Sequence, residues 1–513
     1  MIRKAEDVRL NVLPIYFGLQ HKAVYEGPCR GGVGDELKPE FDAMMNSAGF
    51  EQFKGLVDEK LSDELFNNLK PLKFCRTDEW ELPEEWFDQI QDSMNETDVI
   101  FIKPCIGHDG IVQEILKRFG KPVVITPETV YPCSGLALSA AIEGMNKDYI
   151  FGAFISWEET LQFMRALRAK KVVANFHLLG ASRMDSRQSM SAVDCIADQT
   201  YASEKLGMQF RFVNIHELMD QMTPAVEGGN PTTPGRITDD LTEEDIAEAE
   251  RLADELIAGA DEVQIKREYL VSELCAYLTV KKTMARWDCN GFTMPCPDSC
   301  STRRLDQNSF TPCFIHSLLQ REGIPSACEY DTSTALTEQA LIGMTGQHPY
   351  NGNLFSIFRT DGEWPPAAGL AEKDIPLIIE NEEHTLSIHH SVPHNFFVDP
   401  KKGDNYCIRT FTMDRQFGPA MRYDFGKLKG DTVTLCRIAP DLNHMFIERA
   451  TILCNDGYER TSCNGGFVFT VEDRKKFWNA AKRAGNHICA VYGDYVEDME
   501  VLAEMLDMEV IRA

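Results

Sequence analysis

The stretch CEYDTSTALTEQALIGMTGQ, residues 328–347, sets Glu329 and Asp331 two positions apart in an otherwise nearly uncharged run. On an extended chain side chains at i and i+2 point the same way. Ser326-Ala327 before them and Thr332-Ser333-Thr334-Ala335 after them add little bulk, so a ligand can approach the backbone. Leu336 to Met344 reads as an apolar helix, capped by Ser333 or Thr334, whose N-terminus points at the acids. Two readings follow: a capping cluster with an exposed acidic pair, or hard oxygen ligands for a divalent ion such as Mn²⁺.

Histidines supply the other ligand type. His384, His389, His390 and His394 fall close together, and any one of them is by default a satisfied core or surface group. His487 differs, because Asn486-His487 follows Ala484-Gly485 and leads into the apolar strand ICAVYG. A polar pair at the mouth of an α/β element is placed to face a cleft. The cysteines of MPCPDSC, Cys296 and Cys300, have Cys289 and Cys313 nearby, but their intervals are irregular for structural zinc. Gly107 to Gly110 (GHDG) after the strand VIFIK can line a cleft; the loop lacks the full dinucleotide fingerprint.

Elements must hold these residues in place. VIFIKPCIGHDGIVQEILKRFGKPVVIT, residues 99–126, reads as strand, loop, amphipathic helix and strand, a βαβ unit. SWEETLQFMRALRAKKVVANFHLLG repeats that grammar, with a Ser156 cap, a helix and then a strand led by KKVVANFHLL. Residues 239–262 predict a solvated helix started by Thr242. From about residue 350 short β-rich segments separated by KKGD, LKGD and NDG predict a mainly antiparallel domain, closed by a helix over 471–484 and a final αβ unit. The expected fold is α/β: doubly wound α/β domains at 1–149 and 150–345, then a β-rich domain at 346–513.

The formal charge of −28 argues against phosphate-backbone partners and anionic membrane surfaces. No apolar run is long enough to span a bilayer, and the N-terminus carries no small-residue cleavage site. Sixteen scattered cysteines, several inside apolar runs, fit reduced core residues of a cytoplasmic protein.

Three segments together resemble the L-fucose isomerase family, including its L-fucose/L-arabinose isomerase-like relatives. GIPSACEYDTSTALTEQALIGMTGQ is similar to that family's acidic motif and small-residue helix. DTVTLCRIAPDLNHMFIERATIL is similar to its β-domain segment, and GNHICAVYGDY to its C-terminal Asn-His motif. The likeness in order and spacing covers about residues 285–513. It implies two Rossmann-like domains and a barrel-like β-rich domain, a Mn²⁺-dependent aldose–ketose isomerase and a homo-oligomer, hexameric or trimeric, acting on a small sugar.

Carried over by motif, Asp331 is a metal ligand doubling as acid/base, His487 the imidazole ligand, Asn486 a sugar-hydroxyl contact, and Glu329 a supporting acid beside the substrate. The family's second carboxylate corresponds to Thr311-Pro312-Cys313-Phe314, where no acid stands. Asp298 in MPCPDSC is the expected replacement for metal and proton transfer, and Asp306 is the other nearby choice. Arg183 and Lys22 are the basic residues available to touch the sugar. The alternative is a catalytically silent sugar-binding or regulatory protein on the same fold.

Overall fold

Apolar runs such as VIFIK and VVI have no polar alternation, so both faces of their strands must be covered. The computed structural model, which describes residues 2–24, 32–61, 64–77, 83–105, 109–127, 132–145, 148–182, 193–222, 241–297, 309–357, 359, 362–363, 369–411, 416–460, 463 and 465–513, places them in a parallel sheet. Two compact units result, one of residues 8–168 and one of residues 1–7 with 169–513.

In the smaller unit β1 (Leu10–Leu19) pairs in parallel with β2 (Phe66–Asn68), β3 (Leu72–Arg76) and β4 (Val99–Lys103). Next to β4 come β5 (Val123–Ile125) and β6 (Phe151–Ala153), also parallel. The helix Asp109–Phe119 packs Ile111, Ile115 and Leu116 with Ile100, Ile102 and Val123 of the sheet, as the predicted βαβ unit requires.

The larger unit has a parallel sheet ordered β11 (Ser326–Cys328), β10 (Gly291–Met294), β7 (His177–Ser182), β8 (Gln209–Asn214). The strand expected over KKVVANFHLL forms only in its second half. KKVVA completes the helix Trp157–Ala174, and the strand starts only at His177. Val172 and Val173 are fully buried as helical residues, and that burial outweighs the few tenths of a kcal/mol by which β-branching disfavours a helix. The acidic helix forms over Glu243–Gly259, with Thr242 and Asp245 closing a capping box.

The C-terminal region closes on itself. Strands β12 (Tyr350–Phe355), β13 (Thr385–His390), β18 (Gly465–Thr470), β17 (His444–Asp456), β16 (Thr432–Ile438) and β19 (His487–Tyr492) form a six-stranded antiparallel barrel, because β16 pairs with both β17 and β19. The short β20 (Glu509–Ile511) adds to β17 in parallel. The β-rich segment NYCIRTFTM is not a stave of the barrel. Its strand β14 (Cys407–Thr410) pairs with β15 (Pro419–Arg422) and with β9 (Glu262–Val263) in a separate three-stranded sheet.

One helix joins the sheet to the barrel. Thr332–Thr345 is buried along nearly its whole circumference, so its small and apolar residues follow no single stripe. Ser333 and Thr337 hydroxyls bond the main chain of Ile438 at the end of β16. This contact fixes the helix N-terminus against the barrel. Among the described residues no helix is long and apolar enough to cross a membrane.

Candidate metal centre

The parallel strand β11 ends at Cys328, and the carboxyl ends of such strands are where ligands gather in α/β sheets. The chain then turns through two non-glycine residues in the left-handed region, Glu329 at φ 59° and Tyr330 at φ 67°. Each such residue costs on the order of 1–3 kcal/mol and persists only where surroundings enforce it. The Tyr330 side chain is fully buried, and its hydroxyl lies 2.5 Å from where a Cβ on Gly180 would be, so only glycine fits there in β7. This turn overturns the extended geometry expected for the acidic pair. Glu329 and Asp331 do not share a direction: Glu329 keeps partial exposure, whereas Asp331 is wholly buried as the N-cap of Thr332–Thr345.

The Asp331 oxygens are engaged within the protein. Oδ1 accepts from the Thr334 N–H at 2.9 Å; Oδ2 accepts from Arg437 Nη1 at 2.8 Å and from His487 Nδ1 at 2.9 Å. Burial pushes the Asp331 carboxyl up, but the Arg437 guanidinium and His487 outweigh it and hold the group well below the usual carboxylate range. Arg437 is itself fully buried and also donates to the His487 and Ala484 carbonyls and to Asp194. It thereby ties β16, the start of β19 and the helix N-terminus together.

An ionised carboxylate can only accept, so His487 Nδ1 carries a proton and Nε2 is the nitrogen left to face a ligand. That Nε2 lies 3.5 Å from Glu329 Oε2, while His390 Nε2 lies 3.6 Å from Glu329 Oε1. Both imidazole Nε2 atoms are buried and have no hydrogen-bond partner among the described residues. Glu329, His390 and His487 each offer a ligand atom within 4.8 Å of the others. Two donors each about 2.1 Å from a cation stand about 3 to 3.5 Å apart, close to the two spacings from Glu329. Burial pushes the Glu329 carboxyl up, yet His390 and His487 outweigh it and the group stays below its ordinary value.

The two imidazoles are not equivalent. His390 Nδ1 accepts from the Ser391 N–H at 3.0 Å, which places the ring proton on Nε2. To ligate through Nε2, His390 must move that proton and lose the Ser391 bond. His487 needs no such change. In register Asn353 of β12 pairs with His389 on one side and His487 on the other; the ring of His390, the next residue at the end of β13, has its centroid 5.4 Å from that of His487.

No family model matches the chain, and none of the curated proteins does.

The remaining expected residues are distributed as follows. Asn486 is exposed; its N–H donates to Asp194 Oδ2 at 2.6 Å and its side-chain amide donates to Asn353 Oδ1. Asp298, Asp306, Arg183 and the first two residues of GHDG, Gly107 and His108, lie outside the described residues. The basic candidate Lys22 belongs to the smaller unit. Of the clustered histidines, His384 bonds the Glu472 carbonyl, His389 the Asp456 carboxylate and His394 the Pro349 carbonyl. His390 is the one brought to Glu329 and His487. Its signal in the sequence is the doublet His389-His390 at a strand end, where period-two alternation must turn one ring each way. Among the described residues no set of cysteines meets the spacing of a metal cluster.

Proposed function

We propose that this chain is a divalent-metal-dependent aldose–ketose isomerase, acting on a pentose, hexose or deoxysugar through a cis-enediolate. One observation carries the reading. The three segments of family resemblance, far apart in sequence, meet in a single network: Arg437 of DTVTLCRIA donates to Asp331 of CEYD, which accepts from His487 of GNHICAVYG, whose other nitrogen faces Glu329. The division into two Rossmann-like domains and a barrel, the cytoplasmic location and a hexameric or trimeric assembly belong to the same proposal.

His487 Nε2, a Glu329 oxygen and His390 Nε2 would hold the ion. One carboxylate with two imidazoles suits Mn²⁺, Fe²⁺ and Zn²⁺ alike. When bound, the ion offsets negative charge growing on two adjacent sugar oxygens, a contribution of several kcal/mol. We assign Asp331 to orienting His487 and fixing its tautomer rather than to the ion, because its oxygens are already bonded. Glu329, held ionised and partly exposed, is the carboxylate able to accept a proton from the sugar carbon beside the carbonyl. Asp298 or Asp306 supplies the second proton-transfer group that the resemblance calls for, with Asn486 and Arg183 on sugar hydroxyls.

The test is direct. Purified protein is analysed for bound metal, supplied with Mn²⁺ and offered a panel of pentoses, hexoses and deoxysugars. Conversion that disappears on chelation and in His487→Ala supports the proposal. Sugar-dependent thermal stabilisation without conversion, Mn²⁺ present, overturns it in favour of the silent binder.

A further inference from the structure

The line of residues that carries His487 across the barrel does not end at β12. His487 pairs with Asn353, Asn353 with His389, His389 with Gly466 and Gly466 with Asp456, so one row crosses β19, β12, β13, β18 and β17. Directly paired residues share a face of a sheet, which sets His487, Asn353, His389 and Asp456 on one side. Gly466 adds no side chain between the last two. Asp456 reaches over it, and its Oδ2 meets His389 Nδ1 at 3.1 Å.

The pairing of Asp331 with His487 is thus built a second time. Asp456 is wholly buried, accepts the Gly369 N–H at 2.7 Å and the Ser387 hydroxyl, and holds His389 by Nδ1 as Asp331 holds His487. Each pair leaves Nε2 as the nitrogen turned away from its carboxylate. The settings differ. His487 Nε2 is buried beside Glu329, whereas His389 keeps 9% of its side chain exposed, and its Nε2 has no hydrogen-bond partner among the described residues. Nor does His389 belong to a metal-ligand group among those residues. Between the two imidazoles the surface is polar and open: Asn353 is half-buried, Asn486 is exposed, and the Asn486 amide donates to Asn353 Oδ1.

An imidazole held by a buried carboxylate and open at its far nitrogen is suited to a hydrogen bond with a ligand. Adjacent strands lie about 4.8 Å apart, so His389 stands about 10 Å from His487 along the row. A bond of about 2.1 Å to an ion and a hydrogen bond of about 2.8 Å leave roughly 5 Å between the ion and the group that His389 meets. That is the reach from the chelated end of a sugar to a hydroxyl further along its chain. We infer that His389, positioned by Asp456, reads a hydroxyl on the fourth or fifth carbon of the sugar, and so selects pentoses and longer chains over short aldehydes. The inference rests on the isomerase reading for the placement of the carbonyl end at the metal centre.

The experiment supplies the full-length protein with Mn²⁺ and titrates it by calorimetry with arabinitol, a five-carbon polyol that has no carbonyl to isomerise, and with glycerol, which ends at its third carbon. His389→Asn keeps an amide donor where Nδ1 stood, so Asp456 stays partnered, but nothing stands where Nε2 was. Arabinitol binding to this variant is expected to weaken about tenfold, with glycerol binding and Mn²⁺ affinity unchanged. His389→Gln, which returns a polar group to the Nε2 position, recovers most of the arabinitol binding; a purely structural role for the ring predicts the reverse order. For an aldopentose that the protein converts, His389→Asn raises KM about tenfold and leaves kcat within about threefold. Equal arabinitol affinity in wild type and His389→Asn, or no arabinitol binding to wild type, overturns the inference, while conversion by wild type leaves the isomerase reading standing. Arabinitol binding that depends on His389 in a protein that converts no aldose upholds the inference and overturns that reading.

Discussion

The helix Thr332–Thr345 carries a buried carboxyl at each of two levels, and they behave oppositely. Asp331 at its N-cap is held ionised; Glu338, two turns on, is pushed up to about 8. Both are wholly buried, so desolvation acts on each in the same direction. What differs is the partner. Asp331 meets the Arg437 guanidinium and an imidazole, whereas Glu338 meets only neutral donors, the Gln320 and Asn351 amides and the Ser326 N–H. Burial does not decide the charge of a carboxyl here; a single cation does. The ionised one can fix the His487 tautomer and thus shape the metal centre, while the neutral one joins helix to strand.

The largest break in that contrast comes from Arg437→Met, which removes the cation and leaves Asp331 buried with less compensation. Loss of one partner of a buried pair costs about 3–5 kcal/mol, read as a lowered denaturant midpoint at pH 7. The sign with pH follows from the direction of the Asp331 shift. A depressed folded-state value contributes stability above the unfolded value near 3.9 and loses it as pH falls, so the gap between wild type and variant must narrow toward pH 3. A gap under 1 kcal/mol at pH 7, or one independent of pH, removes Arg437 as the deciding cation.

Asp331→Asn is the next largest. The amide keeps the shape but can offer its NH₂ to His487 Nδ1, which moves the ring proton to Nε2 and takes away the lone pair. Partners of this kind typically govern 10- to 100-fold in metal affinity, so Mn²⁺ binding by calorimetry should weaken by about that factor while the fold survives. Asp331→Asn binding Mn²⁺ as tightly as wild type would show that the carboxylate does not set the tautomer.

How much of this was open to inspection in the sequence depends on range. The βαβ unit at 99–126, the Thr242 cap and the antiparallel C-terminal region were legible, because periodicity and capping are local. KKVVA reads as a strand because its valines favour one, and only packing makes it helical. Glu329, Asp331 and His487 stood out as residues. Their division of labour did not, because it rests on two positive φ values at Glu329 and Tyr330 and on an arginine 106 positions away from Asp331. His390 is obscured for a similar reason, since only the folded barrel brings its ring, 97 positions from His487 in the chain, to 5.4 Å from the His487 ring.

The least disruptive substitution sharpens the comparison from its neutral side. Glu338→Gln replaces a buried protonated carboxyl with an amide of nearly the same shape. The folded-state value of Glu338 is raised to about 8 from an ordinary 4.5, so its stabilising contribution is complete below about 4.5 and is lost as pH rises to and through 8. The amide has no such dependence. Its NH₂ does need acceptors, and Gln320 Oε1 and Asn351 Oδ1 are buried there without partners. Glu338→Gln should therefore match wild type near pH 4.5 and exceed it by roughly 3 kcal/mol at pH 7, at about 1.4 kcal/mol per pH unit, with a larger margin at pH 9. Thermal melts of both proteins across that range measure it. A variant less stable than wild type at pH 9 means that Glu338 is ionised in the folded chain and that some unrecognised cation does for it what Arg437 does for Asp331.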